Sequence, residues 1–453
     1  MYSPRIQKIL KAAKISIGDR ISVQDGRKTH EGLLMPSPET SDPESIILKL
    51  DNGYNVGVSF GKSTKIAKSR AHEPRAVKEE ARFELGKTSR EILKLKFDPK
   101  KPLVTLIATG GTISSRVDYK TGGVKTIENP QDFLHNVPEL VDMANIRLTS
   151  PFAKMSEDMN YTDWVELAKA VARELNTGAK GVIVTHGTDW LHYTSAVLSF
   201  FLRNLTKPVV VVGAQRSSDR GSSDAGMNLL CAVHTALSDM AEVGICMHAS
   251  IMDDYCLFMR GTKVRKMDTQ RRDAFRPVND LPLARVYPSG KIEKLKKDVR
   301  IRSEGKVESD TKFEPRIAII KPYPGSDPSV IDYHVSKGVK GFVVEGSGLG
   351  HVPTNGKGEW ISTIKKHVKD GIPFVVTPQT IYGRINPNVY TNLRVLYHEA
   401  KAIPGEDMLT ETAFVKLGWV LGHTKDPEKV REMMLTNYAG EISERTLPET
   451  FLY

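Results

Sequence analysis

Cysteine is scarce in this chain: Cys231, Cys246 and Cys256 are the only three among 453 residues. So few, with no C-x-x-C spacing, argue against a disulfide framework and a thiolate metal site and for a reducing compartment. Long apolar runs are missing too. No stretch approaches the roughly 18 residues of a membrane span, and the opening "MYSPRIQKILKAAK" has no signal-peptide core. A soluble, cytoplasmic protein with no membrane association is expected. There is no G-x-S-x-G elbow, no P-loop and no H-E-x-x-H, which counts against an α/β-hydrolase, a kinase and a zinc protease. What the chain does have is positive charge, +11 overall. Residues 1–102 hold 21 Lys and Arg against 13 Asp and Glu, so most of the excess lies in the first quarter. A basic appendage of this kind fits a nucleic-acid partner or a merely solvated surface, and composition leaves both open.

With 40% apolar and 26% charged residues the chain is an ordinary globular one, long enough for two or three domains. Residues 15–68 alternate apolar and polar side chains, with Asp25-Gly26 and Asn52-Gly53 as hairpin turns. That pattern predicts a small all-β, SH3-like barrel. A charged stretch over 69–101 follows as linker or exposed helix, so the first domain is placed at 1–95. From 103 onward strands and helices alternate, the signature of a parallel sheet covered on both faces. Strands are expected at 104–108, 146–149, 181–185, 208–213 and 243–248. The clearest helix is "YTDWVELAKAVARELNTG". Trp164, Leu167, Ala168, Val171, Ala172 and Leu175 make one apolar stripe, with Thr162 to cap its start and Gly178 to end it. The lysine-rich stretch 290–313 reads as a boundary. The α/β units are therefore placed at 102–295 and 315–453.

Three strand ends in the first α/β unit carry polar residues straight after an apolar run. The strand at 104–108 delivers Thr109 and Thr112 around Gly110-Gly111, the next delivers "THGTDW" (185–190), and the third "GAQRSSD" (213–219). In a parallel sheet such ends share one edge, where ligands bind. A threonine hydroxyl is a weak nucleophile and needs a base or a polarising network. Thr188 and Asp189 with Lys266, from "KVRKMDT", would form a Thr–Lys–Asp relay. From the residues alone Lys266 reads first as one surface lysine in a basic run, and Gly-Gly between threonines equally as a tight turn with caps.

"TGGTI" (109–113) followed by "THGTD" (185–189) resembles the paired active-site signatures of bacterial-type L-asparaginases. "VGAQRSSDRGSSDAGMNL" (212–229) and "KMDT" (266–269) fit the same family. The resemblance spans about residues 103–435. It implies an L-asparaginase-like two-domain α/β body. A small β-domain before that body, and "YGRINPNVY" (382–390), resemble the GatD family of archaeal glutamyl-tRNA(Gln) amidotransferases. By position, the resemblance makes Thr112 the nucleophile and Tyr119 the tyrosine of a mobile closing loop with Gly122 and Gly123 as hinge. Thr188, Asp189 and Lys266 become the second triad. Ser156 would hold the substrate α-carboxylate, Asp189 the α-amino group, and the backbone of Ala214 the amide. Gly111 and Glu157 complete the implied substrate site, Glu157 standing where many asparaginases have glutamine. "EGSGLGHVP" (345–353) lacks the asparagine that many bacterial asparaginases lend to a neighbour's site.

The implied activity is hydrolysis of glutamine or asparagine as ammonia donor, feeding the conversion of misacylated Glu-tRNA(Gln) to Gln-tRNA(Gln). The resemblance implies no cofactor in this chain. ATP and Mg²⁺ would belong to a second amidotransferase subunit, with tRNA(Gln) bound through the complex and a homodimer of this chain within a heterotetramer. The alternative is a free-standing asparaginase or glutaminase with an appended barrel. Degeneration to a scaffold is disfavoured because Thr112, Tyr119, Thr188, Asp189 and Lys266 are all present.

Overall fold

The computed structural model describes residues 2–26, 28–37, 42–50, 55–61, 63–69, 97–111, 113, 115–117, 124–126, 137, 139–217, 223–354 and 359–453. The N-terminal domain opens with a helix that strand alternation did not reveal, α1 (Pro4–Ala12). Ser3 caps it by accepting the Ile6 N–H at 3.3 Å, and Pro4 suits its first turn. Ile6 and Leu10 bury one face of α1 against the sheet. The strands β1 (Arg20–Asp25), β2 (Lys28–Leu34), β3 (Ser45–Lys49), β4 (Asn55–Ser59) and β5 (Lys65–Lys68) form an antiparallel sheet in the order β4-β3-β2-β1-β5. Asp25 pairs with Lys28 across the expected turn, where Gly26 takes φ +58°. Ile21, Val23, Leu34, Ile46 and Leu48 fill the core with α1. The Asn52-Gly53 turn and most of the charged 69–101 stretch lie outside the described residues.

The first α/β unit is an eight-stranded sheet. Its strands are β6 (Leu103–Ala108), β7 (Asn145–Thr149), β8 (Gly181–Thr185), β9 (Val209–Val212), β10 (Val243–His248), β11 (Cys256–Arg260), β12 (Ala284–Val286) and β13 (Ile292–Lys294). The order is β13-β12-β11-β10-β9-β8-β6-β7. The expected strands form a run of five that are mutually parallel, and β11 to β13 extend it antiparallel. Every residue of β8 and β9 is buried, as in a sheet covered on both faces. The covers include α2 (Tyr161–Asn176), α3 (Leu191–Phe201) and α4 (Ala225–Leu237). The apolar stripe of α2 is buried as its spacing predicts. Its cap is Asn160 rather than Thr162: Asn160 accepts the Thr162 N–H and Asp163 accepts the Asn160 N–H, both at 2.9 Å, a reciprocal capping box. Gly178 follows its last turn at φ +102°.

The 290–313 stretch is not simply a boundary. Ile292–Lys294 is the edge strand β13, and Glu308–Ser309 pairs with Leu202–Arg203. Arg302 donates to the carbonyls of Ala236 and Ser238. Val299 and Val307 are buried under a polar exterior, which composition alone does not reveal.

The second unit has four parallel strands, β14 (Ile317–Ile320), β15 (Gly341–Gly346), β16 (Phe374–Pro378) and β17 (Ile403–Pro404), in sequential order. Its helices include α5 (Ser329–Ser336), α6 (Trp360–Lys369), α7 (Thr410–His423) and α8 (Pro427–Leu435). Helix α7 belongs to both units. Its Ala413, Val415, Leu417 and Val420 lie in one continuous buried cluster with Leu198 and Phe200 of α3. The three cysteines are buried: Cys256 Sγ donates to Asn228 Oδ1 at 3.4 Å and Cys231 Sγ to the Val286 carbonyl at 3.3 Å, and burial pushes the Cys256 thiol pKa well up. Such thiols are unreactive. Among the described residues, no helix is long and apolar enough to cross a membrane.

Candidate active site

The ends of β6, β8 and β9 lie side by side on one sheet edge. Glycines bring the loops beyond them closer than side chains would allow. Gly111 has φ +82°, and a Cβ there would stand 2.3 Å from the backbone of Gly187. A Cβ on Gly187 would lie 2.9 Å from the Ser156 side chain, and one on Gly213 would lie 2.8 Å from Thr188 Cγ2. Four loops thus touch backbone to backbone or backbone to side chain. Gly111, Ser156, Thr188 and Ala214 lie on or directly beside these contacts, all buried. Thr112 and Tyr119 lie outside the described residues. An antiparallel ladder of Ser115–Val117 and Val124–Thr126 flanks Tyr119 in sequence.

Thr109 and Thr188 sit at equivalent strand ends but are used differently. Thr109 Oγ1 donates to the Thr185 carbonyl at 2.8 Å, and the Thr109 N–H to the same oxygen at 3.1 Å. Its hydroxyl ties β6 to β8. Thr188 Oγ1 instead accepts from Lys266 Nζ at 3.0 Å, and the same ammonium donates to Asp189 Oδ1 at 2.6 Å. The three residues of the sequence relay are therefore in contact, though Lys266 lies 78 residues from Thr188. The Lys266 side chain is 10% exposed and that of Asp189 61%, so the relay runs from a buried hydroxyl to a carboxylate open to solvent. Ser156 Oγ donates to Glu157 Oε2 at 3.3 Å and accepts the Trp190 N–H at 3.4 Å. Glu157 itself is exposed.

Three supports of these loops carry no signal in the sequence. The first is His186, fully buried. Its Nδ1 faces the Gly187 carbonyl at 2.7 Å and must donate. Its Nε2 then accepts from Thr194 Oγ1 at 2.9 Å, and that hydroxyl accepts from Trp164 Nε1 at 3.0 Å. Burial pushes the imidazole pKa down to about 4, so it is neutral at neutral pH. The second is Asp224, which accepts the Gln215 and Arg216 N–H groups and shapes the loop after β9. The third is the hairpin that carries Lys266, Val264–Lys266 paired with Phe275–Pro277. It is anchored from the second unit. Lys263 pairs with Asp407 at 2.7 Å with both side chains 1% exposed, and Arg265 reaches Glu411 at the start of α7 at 3.2 Å. Burial raises the Glu411 carboxyl, but His192 and Arg265 more than offset this and hold it below its usual value.

A sheet edge that gathers Gly-Gly, a Thr–Lys–Asp cluster and a buried serine defines an asparaginase-type α/β protein. Comparison agrees. Residues 103–300 match the asparaginase N-terminal family and 316–434 the glutaminase/asparaginase C-terminal domain. The L-asparaginase of Thermococcus kodakarensis superposes with TM-score 0.67 at 30% identity, covering 76% of this chain and all of that one. An L-asparaginase I from Vibrio cholerae superposes with TM-score 0.66 at 27% identity, covering 76% of this chain and 99% of that one. More narrowly, the chain belongs to the GatD family of glutamyl-tRNA(Gln) amidotransferases. The relative from Pyrococcus furiosus is 49% identical over 99% of this chain and 100% of its own length. That from Methanothermobacter thermautotrophicus is 46% identical over 98% of each. Residues 15–68 match the GatD N-terminal domain.

Proposed function

We propose that this chain is the amide-hydrolysing, ammonia-supplying component of a tRNA-dependent amidotransferase that converts Glu-tRNA(Gln) to Gln-tRNA(Gln). The observation that carries this reading is the bonded Thr188–Lys266–Asp189 cluster in a chain that matches GatD relatives along its whole length. Glutamine or asparagine is the nitrogen donor. Thr112 Oγ attacks the side-chain amide carbon, the C–N bond breaks, ammonia leaves with the proton it needs, and water cleaves the resulting ester. Thr188, Lys266 and Asp189 move the proton. Lys266 fixes the hydroxyl of Thr188, and Asp189 fixes Lys266. Tyr119 closes over the substrate, Ser156 and Glu157 bind its amino-acid end, and the amide lies against Gly111 and Ala214.

This half-reaction is acyl transfer and calls on no cofactor of the chain's own. Activation of the tRNA-bound carboxylate, with ATP and Mg²⁺, falls to the second amidotransferase subunit. The chain acts as a homodimer within a heterotetramer in the cytoplasm, and reaches tRNA through the complex. The test is ammonia release from glutamine and asparagine by the purified chain, alone and then with its partner protein, Glu-tRNA(Gln) and ATP. Strong stimulation is expected. Fast unstimulated hydrolysis would instead make it a free-standing amidohydrolase, and undiminished release by Thr112→Ala would remove the nucleophile assignment.

A further inference from the structure

The stretch "YGRINPNVY" (382–390) lies in the second unit and supplies none of the residues of the candidate site. Its Gly383 is bound instead by Asn279, which follows the second strand of the hairpin that carries Lys266. Asn279 Oδ1 accepts the Gly383 N–H at 2.9 Å, and Asn279 Nδ2 donates to the Gly383 carbonyl at 3.0 Å. One side chain thus pairs with both backbone groups of one residue, as a neighbouring strand would. Nδ2 spends its second hydrogen on the Asp407 carbonyl at 3.1 Å. That fixes the orientation of the carboxamide, since the flipped form would set its oxygen against two carbonyls. Asn279 is buried and has φ +55°, a left-handed backbone that few side chains other than Asn and Asp adopt. A non-glycine residue held there, with both amide hydrogens used, marks a junction that its surroundings over-determine.

The junction acts on Lys266 through the hairpin. The Met267 N–H donates to the Ala274 carbonyl near the turn and the Val278 N–H to the Lys263 carbonyl at the base, both at 2.7 Å. At that base both strands end on one residue of the second unit. Lys263 Nζ donates to Asp407 Oδ2 at 2.7 Å, and Asn279 Nδ2 to the Asp407 carbonyl. Lys266 stands three residues beyond Lys263, with its Nζ 3.0 Å from Thr188 Oγ1 and 2.6 Å from Asp189 Oδ1. A slip of the base against the second unit carries the ammonium away from those oxygens. We propose that Asn279 is a positioning residue for the amide hydrolysis: by docking the second strand of the hairpin on the Gly383 backbone, it sets the distance of Lys266 from Thr188. Among the described residues the carboxamide bonds Gly383 and Asp407 and no member of the relay, so it acts through Lys266 alone. This rests on the functional reading above, in which Lys266 serves the hydrolysis.

The test is a double-variant cycle on kcat for ammonia release from glutamine, using the full chain with its partner protein, Glu-tRNA(Gln) and ATP. Asn279→Gly deletes the carboxamide and keeps a backbone that glycine adopts freely. We expect kcat to fall by about 10–10²-fold, the scale of a catalytic group displaced by about 1 Å. KM should change much less, because the amino-acid end of the substrate lies against Ser156 and Glu157. In a Lys266→Met chain, which has no ammonium to misplace, the same change should lower the residual kcat no further. Asn279→Asp keeps the bond from the Gly383 N–H and gives up both donor bonds, and it runs the same cycle if the glycine variant does not fold. Losses of equal size in both backgrounds would reduce Asn279 to structural support and overturn the proposal, as would an unchanged kcat in the folded Asn279→Gly chain. Full turnover by Lys266→Met, or no hydrolysis of glutamine or asparagine by the unaltered chain, would overturn the functional reading itself, and the proposal with it.

Discussion

The two sheets of the α/β body differ in what their strand ends carry. The ends of β6, β8 and β9 hold Gly111, Thr188 and Ala214, and a hairpin on the same unit brings in Lys266. None of these residues comes from the four-stranded second sheet. That sheet and its helices nonetheless decide where Lys266 stands. Asp407 and Glu411 hold Lys263 and Arg265, the near neighbours of Lys266. One half of the body displays the reacting groups, and the other aims one of them. Proximity of a segment to the chemistry is therefore a poor guide to its influence on it.

The comparison breaks first at Lys266. Lys266→Met removes the donor to both Thr188 and Asp189, and ammonia release should fall by about 10²–10⁴-fold, with little change in unfolding free energy. Preserved turnover would separate the cluster from the chemistry. Next comes the support. Lys263→Met removes the ammonium paired with buried Asp407, leaving it only the more distant Arg384 guanidinium at 3.8 Å, and chemical denaturation should register a loss of about 3 kcal/mol. Adding Asp407→Leu should restore most of this, leaving about 1 kcal/mol for the Ser443 N–H that Asp407 also accepts. A double variant as unstable as the single would show that packing, not charge, joins the units.

A third test concerns His186. Its native pKa of about 4 lies below the ordinary 6.5. Between those values the unfolded chain binds a proton that the native one refuses. Stability is full above pH 6.5 and declines as pH falls toward 4, by about 3 kcal/mol in all. His186→Gln should flatten that part of the curve. The smallest effect is expected at the start of α2: Asn160→Ala should cost about 1 kcal/mol through its cap and leave kcat unchanged.

The parallel strands and α2 were legible because apolar periodicity is local. The Thr–Lys–Asp cluster was legible only as chemistry, a hydroxyl wanting a base and a carboxylate, until the family resemblance supplied the spacing. Thr109 shows why residue type is insufficient: the same side chain at the same kind of strand end spends its hydroxyl on a neighbouring carbonyl. Asn160 took the cap from Thr162 because a reciprocal bond with Asp163 satisfies two donors at once. The 290–313 stretch holds an edge strand, Ile292–Lys294, that composition did not show, because an edge strand on a solvated flank needs few apolar residues. Lys263 could not be found at all, since its partner is 144 residues away and nothing in a lysine's sequence neighbours announces burial.

That separation has a consequence for how the molecule is made. A chain synthesised from its N-terminus exposes Lys263 long before Asp407 exists. Until the later segment arrives, an ammonium destined for the interior lacks the carboxylate it pairs with and must remain in water. The hairpin bearing Lys266 can settle only afterwards. On the ribosome, the amide-cleaving apparatus therefore completes late, when nearly the whole polypeptide has emerged.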